Sequence, residues 1–275
     1  MFKYFRRFIT SKLPENNRFE LIWKLAQVDF RKRYYNDRLG LFWALLNPLI
    51  RVLVYFSVFT YVLDRTRLGV DNFALYLFSG LIFWMAFVET SRKGLKLLIA
   101  KRYLIQNIKF NKIDLYISSA LASLMGFSFN LLAYGVAAFI ILPLCGFSMP
   151  SVGWSVLFLP ILIVNIYLIA LGFSMFLSVA HIYYKDVQHL LDVTFLIGIW
   201  SSGVIIPVSK FIVDYPLIPH IQPIAGILTN VRNVILLGNP INEVYLISNL
   251  VFGIIFYLIG VQLVNKKTHL AFEKI

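Results

Sequence analysis

The sequence predicts an all-α polytopic membrane protein that crosses the bilayer six times, and three features of its 275 residues carry that prediction. Hydrophobic residues make up 59% of the chain and charged residues only 14%, where soluble domains carry about 25% charge. From Leu115 to Tyr184 there is no Asp, Glu, Lys or Arg at all. As one helix, rising about 1.5 Å per residue, that block would far exceed the thickness of a bilayer, so it folds back on itself. Finally, the bases crowd into alternate inter-span segments, as they do when a chain threads a membrane repeatedly.

The elements follow in order. The first 43 residues are expected to form a cytoplasmic segment built on an amphipathic helix. In FELIWKLAQVDFRKRY (Phe19 to Tyr34), Glu20, Lys24, Gln27 and Arg31 recur at i, i+4, i+7 and i+11 as one polar stripe. Leu21, Ile22, Trp23, Leu25, Ala26, Val28 and Phe30 occupy much of the remaining circumference. Such a helix lies in the membrane interface, with Trp23, Tyr34 and Tyr35 as aromatic anchors, or it covers the cytoplasmic mouth of the bundle. Met1 to Arg38 has scattered charge and no uninterrupted apolar core, so no cleavable signal is expected there.

A transmembrane domain over 44–265 then holds spans at about 44–63, 73–91, 115–142, 152–180, 190–207 and 244–264, with a cytoplasmic tail at 266–275. The third and fourth spans divide at LPLCGFSMP, where two prolines and a glycine break the charge-free block. The fifth is short. Between the second and third, SRKGLKLLIAKRYLIQNIKFNK is basic yet helix-permissive: a cytoplasmic extension with a short helix across its end, fit for a partner or anionic lipid. The stretch 207–243 carries five prolines among apolar residues, which predicts re-entrant half-helices before the last span.

With the N-terminus inside, the cytoplasmic segments hold ten, seven, one and three bases, and the outer loops hold only Arg65, Arg67, Lys210 and Arg232. That asymmetry orients the chain with both termini in the cytoplasm. It also accounts for the net charge of +13 without nucleic acid, for which the spans leave no soluble groove. Cys145 is single and reads as a packing residue.

Motifs for chemistry are missing. The patterns G-x-x-x-x-G-K-[ST], H-E-x-x-H, C-x-x-C and G-x-S-x-G do not occur. His181, Asp186, His189 and Asp192 resemble a ligand set, but their place at a turn between spans reads as polar helix ends. Glu89 and Asp114 are expected at cytoplasmic helix ends. Along the first span, Arg51, Tyr55 and Phe59 recur at i+4 beside Val58 and Val62. An arginine inside a span costs about 2.5 to 3.5 kcal/mol on insertion scales, so this ridge is expected to face a lumen unless Arg51 snorkels to the interface. On the fifth span, Phe195 and Trp200 lie near Gly198, Ser201, Ser202 and Gly203, small residues that permit close approach or a slim lumen.

Four stretches in order carry a family resemblance across about Phe19 to Asn265. Basic residues followed by LGLFWALLNPL (Leu39 to Leu49) resemble the start of the first span in the ABC-2 permeases that export O-antigen, capsule and teichoic acid. NIKFNKIDL (Asn107 to Leu115) is similar to the family's loop after the second span. YYKDVQHLLDV (Tyr183 to Val193) resembles its Arg-Asp loop, and QPIAGILTNVRNVILLG (Gln222 to Gly238) its Asn-Pro-started periplasmic half-helix with an arginine. The chain departs from the pattern at Asn111 and Gly203, where proline is usual, at Lys185 for arginine, and at Gln222 for asparagine.

The resemblance implies a homodimeric permease of the bacterial inner membrane. Two copies of a separate ATPase would carry ATP and magnesium, this chain no cofactor, and a lipid-diphosphate-linked glycan would be the substrate. Arg31, Lys32, Arg33 and Arg38 would then face lipid headgroups and the diphosphate where Asn47-Pro48 bends the first span. Arg51, Tyr55, Phe59, Phe195 and Trp200 would line a channel between first and fifth spans of two protomers. Leu104, Asn107, Ile108 and Phe110, with Lys185 and Asp186, would contact the ATPase. Two alternatives stay open: an ABC-2 permease for a drug or lipid, and an embedded enzyme acting on polyprenyl-linked sugars.

Overall fold

The computed structural model describes residues 18–34, 40, 42–57, 73–107, 111–144, 149–208, 219 and 222–272. All regular structure among them is helical: α1 (Arg18–Tyr34), α2 (Phe42–Ser57), α3 (Phe73–Ala100), α4 (Arg102–Asn107), α5 (Lys112–Val136), α6 (Leu159–Tyr183), α7 (Val187–Ser201), α8 (Pro223–Arg232) and α9 (Glu243–Phe272). Among the described residues, four stretches are long and apolar enough to cross a membrane: Phe73–Ala100, Lys112–Ile140, Trp154–Tyr183 and Glu243–Lys267. The expected first span is described only through the 16 residues of α2, and the expected fifth only through the 15 of α7. At about 1.5 Å per residue α7 is about 22 Å long, short of the ~30 Å hydrocarbon layer.

Local chemistry explains where the helices start and stop. Asn111 caps α5 by accepting from the Ile113 amide at 3.1 Å. Past Val136 the α5 ladder widens into a π turn, Ala137–Ile141. Pro143, which has no amide hydrogen to donate back along the helix, lies just beyond it. The break predicted between the third and fourth spans begins there. Pro160 and Pro223 each stand in the first turn of α6 and α8, where a missing amide hydrogen costs nothing.

α3 is the central element, buried along most of its length from Phe73 to Leu98 and packed against α2, α5 and α6. Aromatic contacts tie its neighbours to it. Phe83 meets Phe127 of α5 at 5.0 Å, Phe127 meets Tyr167 of α6 at 6.3 Å, and Phe87 stacks on Phe173 at 5.7 Å. Phe173 in turn stacks on Phe256 of α9 at 6.1 Å. α9 shows its other side, including Val244, Ile247, Ile255 and Leu258, to the surroundings. That large apolar exposure is what lipid or a protein neighbour covers in a membrane.

A second cluster seats α1. Leu25 packs with Leu97, Leu98, Leu115, Tyr116, Met175, Val179 and Val264, where the Tyr116 hydroxyl is hydrogen-bonded to Ser178. Ile22 and Ala26 are buried as well, while Phe19 and Trp23 of the same helix are exposed. Thus α1 covers the bundle end and turns two aromatics outward. At the other end, a 3₁₀ turn, Trp154–Phe158, leads into α6 with Trp154 89% exposed. The Ser151 amide there donates to the Leu236 carbonyl at 3.1 Å, docking this loop on the π turn Asn233–Leu237 that follows α8.

Candidate functional site

One end of the bundle gathers charge. Arg33, in the last turn of α1, pairs with Glu89 of α3, which also accepts from Lys93 at 2.7 Å and from Ser123 of α5 at 2.8 Å. Lys101, just past α3, donates to both carboxylate oxygens of Asp29 at 2.7 and 2.9 Å. Arg18 forks onto Asp114 with contacts of 2.7 to 3.0 Å, and Asp114 is 1% exposed. That hydrogen bond, and then the carboxylate's charge, raise the Arg18 pKa above its ordinary value. Glu89 and Asp114 therefore knit α1 to α3 and α5, a role that their position in the sequence did not reveal.

The expected site residues distribute unevenly. Arg31, Lys32 and Arg33 are exposed along the end of α1, and Asn47 is exposed on α2. Arg38, Phe59, Ile108 and Phe110, together with the side chains of Arg51 and Tyr55, lie outside the described residues. Leu104 is half-buried on α4, and Asn107 donates to the Tyr103 carbonyl at 2.8 Å, ending that short helix. Lys185 and Asp186 are exposed in the turn between α6 and α7.

The two aromatics expected on the same wall part company on α7. Trp200 is 47% exposed, whereas Phe195 is 5% exposed and wedged edge-on between Trp84 and Phe87 of α3 at 6.2 and 5.9 Å. Arg92 lies 5.5 Å over the Phe195 ring and pairs with Asp192 at 2.8 Å. Only Leu191 and Phe195 of α7 are buried, so the helix touches the rest of the chain along one narrow seam. Leu190, Val193, Leu196, Ile197 and Trp200 face away from it. No three His, Cys, Asp or Glu side chains among the described residues group closely enough to hold a metal.

The opposite end holds a buried arginine. Arg232, on α8, reaches Tyr76 in the first turn of α3 and the turn that follows α7. Sequence counting placed this arginine in an outer loop, and nothing local to it signals those partners.

Comparison with known proteins agrees with this architecture. The ABC-2 type transporter family profile matches residues 20–236, from α1 to the end of the half-helix. The chain belongs to the ABC-2 type transporter family. As an ABC-2 chain it resembles an O-antigen export system permease protein, RfbA, of Klebsiella pneumoniae, at 23% identity over 249 residues, 90% of this chain and 92% of that protein. RfbA of Myxococcus xanthus is 25% identical over 189 residues, 69% of each chain. The polysialic acid transport protein KpsM of Escherichia coli is 30% identical over 93 residues, 34% of this chain and 36% of KpsM. The family match covers α1 to α8 and places the charged end, the α7 seam and the Arg232 cluster within the transporter domain.

Proposed function

We propose that this chain is the permease subunit of an ATP-driven exporter that moves a lipid-diphosphate-linked polysaccharide across the bacterial inner membrane. The likeness over 90% of the chain to an O-antigen export permease carries this reading. Both termini lie in the cytoplasm in this reading, because 21 bases fall in the inner segments against four in the outer ones. Six spans then result, α2 continuing beyond Ser57 as the first and α7 serving as a short fifth.

Two protomers assemble with two ATPase subunits, which bind ATP and magnesium. α4 and the 184–186 turn face the ATPase, with Leu104, Asn107, Ile108, Phe110, Lys185 and Asp186 at the contact. The apolar outer side of α7 supports placement of its Trp200 face, with the Arg51, Tyr55 and Phe59 ridge, toward a partner protomer and the glycan. Aromatic rings pack on sugar C–H faces weakly and repeatedly, which suits a sliding polymer. Phe195 holds α7 in place from the core side. Arg31, Lys32, Arg33 and Arg38 form the basic collar around the inner mouth, near Asn47.

The test is deletion of the chain in its native host, with complementation. Loss of surface polysaccharide and accumulation of lipid-linked glycan inside, both restored by the wild-type chain, are the expected result. Normal surface glycan in the deletion strain overturns the reading.

A further inference from the structure

Arg232 is 4% exposed and all of its acceptors are neutral. Its Nη1 donates to the Tyr76 hydroxyl at 2.6 Å and to the Gly203 carbonyl at 2.7 Å. Its Nη2 donates to the carbonyls of Val204 at 3.0 Å and Tyr76 at 3.3 Å. The guanidinium carbon sits 3.4 Å from the Tyr76 ring centre, and the Tyr76 hydroxyl itself donates to Gly203 at 3.0 Å. Burying a cation without a carboxylate is costly, so each of these contacts must be made well for the charge to stay there.

Two of the carbonyls involved, those of Gly203 and Val204, belong to the buried turn just past α7. α7 stops at Ser201, and Gly203 at φ +79° reverses the chain, a conformation that glycine adopts without strain. Ser202, Val204 and Ile205 are fully buried, so water cannot cap the turn. The planar fork of Arg232 sets two nitrogens against the two successive carbonyls, whereas lysine brings its donors from one nitrogen at a single point. On α3, a Cβ at Gly80 would come 2.5 Å from Nη2, so the cradle is shaped to the guanidinium.

We infer that Arg232 is a positioning residue for transport: it holds the buried turn that follows α7 from the half-helix and locks that turn, α8 and the first turn of α3 into one body. A shift of α7 along its axis then carries the half-helix with it. Any opening at this end of the molecule moves three elements together. The consequence for export rests on the function proposed above, whereas the mechanical lock does not.

Hydrogen exchange measured by mass spectrometry on the full permease–ATPase complex in lipid discs tests the lock without substrate. Peptides covering 198–204 and 223–232 are expected to exchange about tenfold faster in Arg232→Met and in Arg232→Lys, while peptides of α6 stay at the wild-type rate. Tyr76→Phe removes one hydroxyl but leaves the guanidinium on its carbonyls, and it should speed 198–204 about threefold. Unchanged exchange at 198–204 in Tyr76→Phe, or its full restoration by Arg232→Lys, overturns the inference. In sealed vesicles holding the same complexes, the glycan exported per ATP hydrolysed should fall severalfold in both Arg232 variants. Faster exchange with unaltered export leaves the lock standing and overturns its role in transport.

Discussion

Glu89 shows how one carboxylate decides the behaviour of several cations near a membrane surface. It binds Arg33 of α1, Lys93 of its own helix and Ser123 of α5. Replacing it by glutamine leaves two cations facing each other around a weaker acceptor. Glu89→Gln should lower unfolding stability by about 1 to 3 kcal/mol, and Ser123→Ala by about 1 kcal/mol or less, read from thermal melts of the purified complex. Equal melts for the two variants would show that the carboxylate's charge is not what holds α1. A second pair separates core from surface on one helix. Phe195→Ala empties a site between Trp84 and Phe87 and should cost about 3 to 5 kcal/mol. Trp200→Ala, on the exposed side, should leave the melt within about 0.5 kcal/mol and reduce export. If Phe195→Ala melts like wild type, its ring is not a core group.

At the scale of elements, α1 and α4 differ in how their apolar side chains are used. Ala26 is fully buried where α1 meets the bundle, and α1 packs most extensively on α5. Ala26→Leu should cost about 1 to 3 kcal/mol by overpacking, visible as a lower melting temperature, whereas Trp23→Ala on the outer side should not change it. α4 has only six residues and none is fully buried; Ile105 packs on the cluster that seats α1, and Leu104 is half-buried beside it. Leu104→Ala combined with Ile108→Ala should leave the melt of the isolated permease unchanged and reduce ATPase co-purification severalfold, as expected of apolar anchors at a docking surface. Undiminished co-purification would place the ATPase contact elsewhere. α7 contributes differently again, since this short helix runs into a turn at 202–208 that the Arg232 guanidinium holds.

For the whole molecule, the decisive prediction is topological. In a chain with Cys145→Ser, a membrane-impermeant thiol reagent should label Asn239→Cys, exposed beyond the half-helix, but neither Asp186→Cys nor Lys267→Cys in intact cells. Labelling of Asp186→Cys from outside would reverse the orientation. The arrangement has α3 at its centre and α9 and α7 at the margins with broad apolar sides. Apolar sides this broad are covered in a membrane by lipid or by a protein neighbour. The charged end and the Arg232 end lie toward opposite ends of α3.

Much was determined by the sequence alone. The long spans, the fold-back near Pro143, the half-helix at Pro223 and the basic end follow from hydropathy, proline and charge, which act on the segment that contains them. Tertiary structure decided the rest. Nothing near Phe195 or Trp200 tells which ring turns inward, because the choice depends on Trp84 and Phe87 more than a hundred residues away. The seat of α1 depends on Leu97, Tyr116 and Val264, contributed by three other helices. Arg232 reads as a loop base until Tyr76, 156 residues earlier, and the end of α7 supply its acceptors. A buried cation is governed by whatever polar groups the fold brings within about 3 Å of it, and sequence spacing carries no information about that distance.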